Sequence, residues 1–461
     1  MNYWLCVCCL LYKTAGTGIL ALPYACKQGG VLVFLIGMIL IPAWNVYCMK
    51  LLCEAYDYLV RLGEYPYDDD DDDEEEEHND VQLSPKDSKR QNVSFFGDSK
   101  HDMIVSRKLM RERPPPPMGT SSMSKLGWYA LGRTGLMLID SMMLMLLLFI
   151  NIAFEVAILT FAERTPFTTG TRILDAIILG FLLVPLSIAE DLSQLSKLSR
   201  WGLITLGFTM FVVAFYGFIG HEDNAVSSEF DTVVNSKVNP INLFPHNGIE
   251  GISKWFGCVV FSFGIVPLTF NFRESMEEPE KLSKAATISM SLVAISYALI
   301  GVGFLYLFPN IEKDLLSELP SDGILTTTTR LAMIVVTIAS TPLLIVPCAE
   351  IIEGKIIENK DGREEKSKKL MIITRTCLAL GTVIIASELP NFVSVLAFVG
   401  SFAVSTVSFF LPPGLHWLLL RQGIRGEEET LSFWSRVFDL MMLLIGFVTT
   451  VITTWYACAS K

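Results

Sequence analysis

Charged side chains are scarce in this chain of 461 residues. Asp, Glu, Lys and Arg make up 18% of it, against about 25% in a typical soluble protein. Much of the net charge of −12 comes from one unbroken acidic run, Asp68 to Glu77. The remaining charges are too few to cover a soluble protein of this size. A disordered chain is also excluded, because hydrophobic residues reach 51%.

Histidine is rare as well and lies mostly outside the apolar segments. Of five histidines only His416 falls in an apolar run, and no His-Glu-x-x-His motif occurs. A membrane-embedded enzyme would need a His, Cys/His or paired-Asp constellation within its spans. We therefore predict that the protein is not an enzyme and has no catalytic residue, metal site or cofactor. The chain is acidic and lacks a basic stripe, so we expect no nucleic-acid partner.

Long apolar runs dominate what is present. A helix needs about 20 mostly apolar residues to cross a bilayer, and runs of this kind predict an all-α polytopic membrane protein embedded in lipid. The first run lacks the basic segment that precedes the core of a signal peptide, so we interpret it as a true helix. Eleven transmembrane helices are predicted, at residues 3–24, 31–53, 135–161, 171–189, 202–220, 255–272, 286–308, 326–352, 370–387, 392–420 and 438–458.

The spans and the polar segments between them divide the chain into six parts. Most of the 36 Lys and Arg follow even-numbered spans, which predicts a cytosolic N-terminus and an outer or lumenal C-terminus. The parts are helices 1–2 at 1–61, a disordered acidic cytosolic loop at 62–124, helices 3–5 at 125–220, an outer or lumenal loop at 221–251, helices 6–10 at 252–420, and helix 11 with the C-terminus at 421–461. The acidic loop is interpreted as a solvated segment, with docking of a cytosolic regulator as the alternative.

Glycine and proline interrupt two of the spans at corresponding places. The first contains Gly16-Thr17-Gly18 and Pro23, and the sixth contains Gly264 and Pro267. A broken helix exposes backbone N–H groups at one half-helix end and carbonyls at the other, which suit a carboxylate and an ammonium or cation. The alternative is a kinked, closely packed helix without a ligand. Because the two spans lie five helices apart, the halves would have opposite topology, which favours a transporter binding site.

The third span carries a polar stripe of Asp140, Asn151 and Glu155. At 100° per residue these side chains fall on one side of the helix. Carboxylates within a membrane are costly and commonly mark the paths of ions or protons. The alternative interpretation is that Asp140 and Glu155 lie near the two ends of the helix and reach the interface.

The segment from Lys13 to Ala25, followed by Gly29-Gly30, resembles the first-helix signature of the amino acid/auxin permease family. Its sequence is Lys-Thr-Ala-Gly-Thr-Gly-Ile-Leu-Ala-Leu-Pro-Tyr-Ala. Met276 and Pro279 after helix 6 are similar to a segment of the family's proton-coupled amino acid transporter branch. Leu411-Pro412-Pro413 with His416 resembles its helix 10. The resemblance covers nearly the whole chain except residues 62–124.

This resemblance implies a LeuT-like core of two inverted five-helix repeats plus one extra helix. It also implies secondary active transport of an amino acid bound at the broken helices 1 and 6. The substrate carboxylate is expected at the first break, its ammonium at carbonyls of the second, and aromatic rings such as Phe261 beside it. The implied substrate-binding residues are Thr14, Ala15, Gly16, Thr17, Gly18, Phe261, Phe263, Gly264, Ile265 and Val266.

The coupling ion is predicted to be a proton, with sodium as the alternative. Sodium-coupled relatives place Asn four residues before the first Gly of the signature, where this chain has Tyr12. Asp140 and Glu155 are the candidate proton carriers, whereas Ser340 and Thr341 on helix 8 could supply oxygens to sodium. The predicted function is proton-coupled symport of small neutral amino acids at the plasma membrane or a lysosomal or endosomal membrane. The alternatives are a sodium-coupled transporter and an amino acid sensor with a transporter fold.

Overall fold

The computed structural model describes residues 2–14, 16–61, 116, 121–188, 202–230, 242–245, 247–320, 323–358, 364–421 and 433–459. All the regular secondary structure within these ranges is helical. The acidic run and nearly all of the segment predicted to be a disordered loop lie outside the described residues.

The α-helices follow the apolar runs closely. They are α1 Tyr3–Thr14, α2 Leu22–Gly29, α3 Val31–Arg61, α4 Ser122–Leu131, α5 Arg133–Ala162, α6 Arg172–Ile188, α7 Gly202–Phe230, α8 Ile249–Ser262, α9 Thr269–Ser275, α10 Leu282–Leu307, α11 Ile324–Ser340, α12 Pro342–Glu358, α13 Glu364–Glu388, α14 Phe392–Val399, α15 Leu411–Arg421 and α16 Phe433–Ala459. Helix α7 continues into the part of the chain assigned to the outer loop from sequence.

Short 3₁₀ and π-helical segments join several of these helices. The 3₁₀ segments are Thr17–Ala21, Val266–Leu268, Pro279–Lys281 and Leu315–Ser317. The π-helical segments are Gly400–Val404 and Thr406–Phe410, between α14 and α15. π-Helical turns are rare and frequently occur at functional sites.

Eight stretches of the described chain are long and apolar enough to cross a membrane. They are Val31–Val60, Arg133–Ala162, Ile249–Ser275, Pro279–Leu307, Ile324–Gly354, Lys368–Glu388, Phe392–Leu419 and Arg436–Cys458. A shorter apolar helix covers Ile204–Ile219. The predicted span 3–24 is divided between α1 and α2, and α6 has only 17 residues. The prediction of an all-α, multi-pass membrane protein is confirmed.

The outward faces of these helices carry large apolar side chains. Phe181 on α6 is 79% exposed and Trp455 on α16 is 72% exposed. Side chains of this size are costly to leave in water but stable in hydrocarbon, so these faces are suited to contact lipid.

Glycines allow the closest contact in the interior, between α8 and the end of α14. A Cβ added to Gly257 would lie 1.9 Å from the carbonyl oxygen of Ala397, and one added to Gly400 would lie 1.8 Å from that of Gly257. Only glycine permits so close an approach of two backbones, as is common where helices pack in membranes. This contact holds α8, which leads into the second break, against the π-helical segment Gly400–Val404.

Candidate functional site

The first span is broken as the sequence predicts. Helix α1 ends at Thr14, and Gly16 has an extended backbone with φ −106° and ψ −167°. A 3₁₀ turn then runs over Thr17–Ala21 before α2 begins. The amide of Ile19 bonds to the carbonyl of Gly16 at 3.2 Å. Ala15 lies outside the described residues, and of Thr14 only the backbone is described.

The sixth span is broken at the corresponding place. Helix α8 ends at Ser262, and α9 resumes the helix at Thr269. Between them the amide of Gly264 bonds to the carbonyl of Phe261 at 3.2 Å, and the amide of Ile265 to that of Phe263 at 2.8 Å. These bonds span three and two residues instead of the four of an α-helix, so several carbonyls here have capacity to accept further bonds.

The two breaks lie against each other. A Cβ added to Gly18 would come within 2.6 Å of Ser262 Oγ and 3.2 Å of Ser262 Cα. The hydroxyl of Ser262 donates to the carbonyl of Cys258 at 2.8 Å. Gly18 therefore has a packing role, because a larger residue there would separate the two half-helices.

A cavity of about 150 Å³ opens beside this contact. It contains five residues of the predicted site, namely Gly16, Thr17, Gly18, Phe261 and Gly264. Sequence reasoning missed six more lining residues, which are Leu146, Ile150, Phe154, Ser262, Pro267 and Val404.

The other predicted residues of the second break serve the packed interior. Phe263, Ile265 and Val266 are at most 1% exposed and do not line the cavity. The ring of Phe263 instead contacts that of Tyr297, with centroids 5.1 Å apart. Of the two aromatic residues in the second break, Phe261 is the one that lines the cavity.

The missed residues of α5 had no distinguishing signal in the sequence. Leu146, Ile150 and Phe154 recur every four residues and therefore form one face of the helix. That face is wholly apolar, as a lipid-facing stripe would be. Only the packing of α5 beside the breaks gives it a role in the cavity.

The cavity combines apolar walls with uncharged polar groups. Among the described residues, none that lines it is an Asp, Glu, Lys, Arg or His. The hydroxyl of Thr17 has no hydrogen-bond partner within the described part of the chain. A ligand in the cavity would meet this hydroxyl, the backbone of both breaks and the apolar side chains of Leu146, Ile150 and Val404.

The loop after α10 lies over the first break. Its 3₁₀ turn Leu315–Ser317 packs against Thr17–Ala21. Lys27 at the end of α2 donates to the carbonyl of Ile311 at 2.8 Å. Arg330 on α11 donates to the carbonyls of Leu316 and Leu319 at 3.2 and 2.9 Å. Hydrogen bonds from α2 and from α11 therefore hold the loop over the break.

Asp314 shapes this loop from within. It is 1% exposed and accepts hydrogen bonds from the amide and the hydroxyl of Ser317, at 3.1 and 2.8 Å. Burial raises the pKa of Asp314 above its ordinary value, although these bonds oppose the shift. The carboxyl caps the 3₁₀ turn that covers the first break.

A polar cluster lies between α5 and α13, close to the cavity wall. Glu155 is fully buried, and its Oε1 is 2.9 Å from both Asn151 Nδ2 and Thr382 Oγ1. Its Oε2 and the Oδ1 of Asn151 have no hydrogen-bond partner among the described residues. The alternative interpretation, in which Glu155 reaches the interface, is wrong for this residue, because its side chain is buried against α13.

Asp140 is remote from this cluster. It accepts a hydrogen bond from Ser124 of α4 at 2.5 Å and is half-buried. It lies fifteen residues before Glu155, about 22 Å along the helix. The structure therefore does not bring the two predicted proton carriers together.

Ser340 and Thr341 lie at the junction of α11 and α12. Their hydroxyls donate to carbonyls one turn back, Ser340 to Val336 at 2.9 Å and Thr341 to Thr337 at 3.0 Å. Neither side chain lines the cavity. Their oxygens keep lone pairs that can accept a cation.

Comparison with known proteins decides the family. Residues 2–69 and 118–459 match the family described as transmembrane amino acid transporter protein. The chain belongs to this family. Its members are amino acid transporters and not enzymes, and the resemblance to amino acid/auxin permeases is confirmed.

Relatives of this chain include proteins from a plant and from yeast. Amino acid transporter AVT1B of Arabidopsis thaliana is 24% identical over 454 residues, which cover 96% of this chain and 68% of the relative. Amino acid transporter ANT1 of the same plant is 22% identical over 459 residues, which cover 97% of this chain and 90% of the relative. Vacuolar amino acid transporter 3 of Saccharomyces cerevisiae is 25% identical over 284 residues, which cover 59% of this chain and 37% of the relative.

Proposed function

We propose that this family member is a secondary active transporter that carries small neutral amino acids together with protons. The observation that carries the proposal is the uncharged cavity of about 150 Å³ between the two broken spans. In the proposed architecture, eleven transmembrane helices form a LeuT-like pair of five-helix repeats plus α16. The breaks at Gly16 and Gly264 then occupy equivalent places in the two repeats.

The substrate's charged groups are proposed to bind backbone. The carboxylate would accept hydrogen bonds from amides near Gly16 and Gly18 and from the hydroxyl of Thr17. The ammonium would donate to carbonyls between Phe261 and Gly264. A helix break supplies these groups without a full buried charge, which suits a zwitterion that must also be released.

The substrate's side chain is proposed to face the apolar wall of Leu146, Ile150, Phe154 and Val404. A charged side chain placed there would lose its hydration without gaining a partner, which costs several kcal/mol. The size and lining of the cavity therefore favour small, uncharged side chains.

Glu155 is the proposed proton carrier. Its neighbours Asn151 and Thr382 are neutral, and no Lys, Arg or His of the described residues forms an ion pair with it. A charged carboxylate in such a site is costly, so binding of a proton would permit movements of α5 against α13. The name of the yeast relative, a vacuolar amino acid transporter, favours a vacuolar or lysosomal membrane, with the proton entering from the acidic lumen.

The test is uptake of a panel of labelled amino acids into proteoliposomes, at about pH 5.5 and about pH 7.5, with sodium or choline. We expect uptake of small neutral amino acids that increases at acidic pH and is unaffected when choline replaces sodium. Strict sodium dependence with a flat pH response would instead favour a site that includes Ser340 and Thr341. Binding without uptake would favour the sensor.

A further inference from the structure

A second cluster of ionisable side chains lies away from the cavity, where three helices meet. His416 on α15 places Nδ1 2.7 Å from Asp439 Oδ2 of α16. The Tyr47 hydroxyl on α3 donates to the other oxygen of Asp439 at 3.0 Å. On the opposite side of the imidazole, Nε2 lies 3.4 Å from Glu54 Oε2 of α3. One histidine is therefore bracketed by carboxylates from two helices.

The cluster is buried at one end and open at the other. His416 and Asp439 are each 1% exposed, whereas the Glu54 side chain is 40% exposed. Lys50 lies 3.5 Å from Glu54 and is 56% exposed. A proton can therefore reach His416 from the surface through Glu54, while Asp439 terminates the chain of contacts inside the protein.

A proton on His416 satisfies all the groups at once. A neutral imidazole has one N–H, so it can donate to Asp439 or to Glu54 but not to both. The imidazolium carries an N–H on both nitrogens and stands between the two carboxylates. Asp439 lies within an apolar span, where an unpaired carboxylate is costly. The charged histidine therefore links α3, α15 and α16 in a way that the neutral one does not.

Other ionisable groups occur on the elements packed around His416. They include Cys48, Cys53 and Asp57 on α3, Lys125 and Tyr129 on α4, and the exposed Arg436 on α16. Every variant described below retains them, so their contribution to any pH dependence is common to all the proteins compared.

We propose that His416 is a proton-binding site, separate from Glu155. Protonation of His416 stabilises the contact of α16 with α3 and α15. The proton arrives from the face that carries Lys50, which the distribution of Lys and Arg assigns to the cytosol. Helix α16 also packs against α8 and against the π-helical segments Gly400–Val404 and Thr406–Phe410. Fastening α16 therefore holds the half-helix that leads into the second break. This site does not depend on the proposed substrate or coupling ion.

The test is thermal unfolding of the purified full-length protein in detergent, from about pH 5.5 to about pH 8.5. The two carboxylates contact the imidazolium only in the folded state, so the stability that this contact adds is lost as pH rises and the proton leaves. We expect a downward step in the wild-type midpoint temperature over this range. His416→Gln keeps a donor to Asp439 but cannot bind a proton, and we expect the step to be lost.

Two controls separate the proton from ordinary packing. Tyr47→Phe removes a neutral hydrogen bond to the same carboxylate, so the midpoint should fall at every pH while the step remains. The double variant His416→Leu/Asp439→Leu replaces the pair with apolar side chains, which commonly preserves folding, and should show no step. A wild-type protein without the step, or a His416→Gln variant that keeps it in full, would overturn the proposal.

Discussion

The Gly16→Ala substitution tests the substrate site most directly, because the structure separates its effect on folding from its effect on binding. A Cβ added at Gly16 meets no heavy atom within 4 Å, and the φ of −106° is open to any residue. Replacing glycine by alanine at a compatible backbone stabilises a protein by about 0.4–1 kcal/mol, since the unfolded chain loses freedom. We therefore expect a folded variant with an unchanged or slightly higher unfolding temperature.

Transport should respond in the opposite direction. The added methyl group points into open space at the cavity, where the carboxylate is proposed to approach the backbone. A hydrogen bond to a charged group contributes about 1.5–3 kcal/mol, and each 1.4 kcal/mol is a tenfold change in affinity. Loss of one such bond predicts an apparent affinity about 10- to 150-fold weaker in proteoliposome uptake.

Two further glycines provide matched controls. Gly207 on α7 is exposed and also has no atom within 4 Å of its added Cβ, so Gly207→Ala should leave uptake unchanged. Gly18→Ala would place its Cβ 2.6 Å from Ser262 Oγ and should lower the unfolding temperature as well as uptake. Wild-type affinity in Gly16→Ala would remove the carboxylate from the first break and refute this reasoning.

The remaining predictions concern the proton, the interior, the covering loop and the acidic run. Glu155→Gln should preserve folding but weaken the stimulation of uptake by acidic pH. Asp140→Asn, remote from the cluster, should alter that stimulation less, and the reverse order would contradict the assignment. Gly257→Ala should destabilise the protein by at least about 1–3 kcal/mol, measured by thermal unfolding, because its Cβ would overlap the Ala397 carbonyl. Arg330→Met should speed proteolysis of the loop after α10 by leaving buried carbonyls without donors; unchanged proteolysis would count against that anchoring role. Deleting residues 68–77 should leave the affinity for substrate unchanged in uptake, whereas a large change would favour a regulatory role.

The sequence by itself determined that this is a helical membrane protein and where two of its spans break. Both conclusions rest on local chemistry. An apolar run long enough to span a bilayer has to satisfy its own backbone, which makes it a helix. Glycine and proline weaken that helix wherever they fall, so the breaks at Gly16 and Gly264 could be read without knowing their neighbours.

The roles of individual side chains were decided by tertiary structure. Glu155 and Asp140 are both carboxylates on α5, yet α13 buries the first and α4 contacts the second. Gly16 and Gly18 are two residues apart and both line the cavity, yet an added Cβ has open space at Gly16 and meets Ser262 at Gly18. A helix fixes only the direction of each side chain relative to its own axis. What lies in that direction depends on how distant segments pack, and no local pattern in the sequence contains that information.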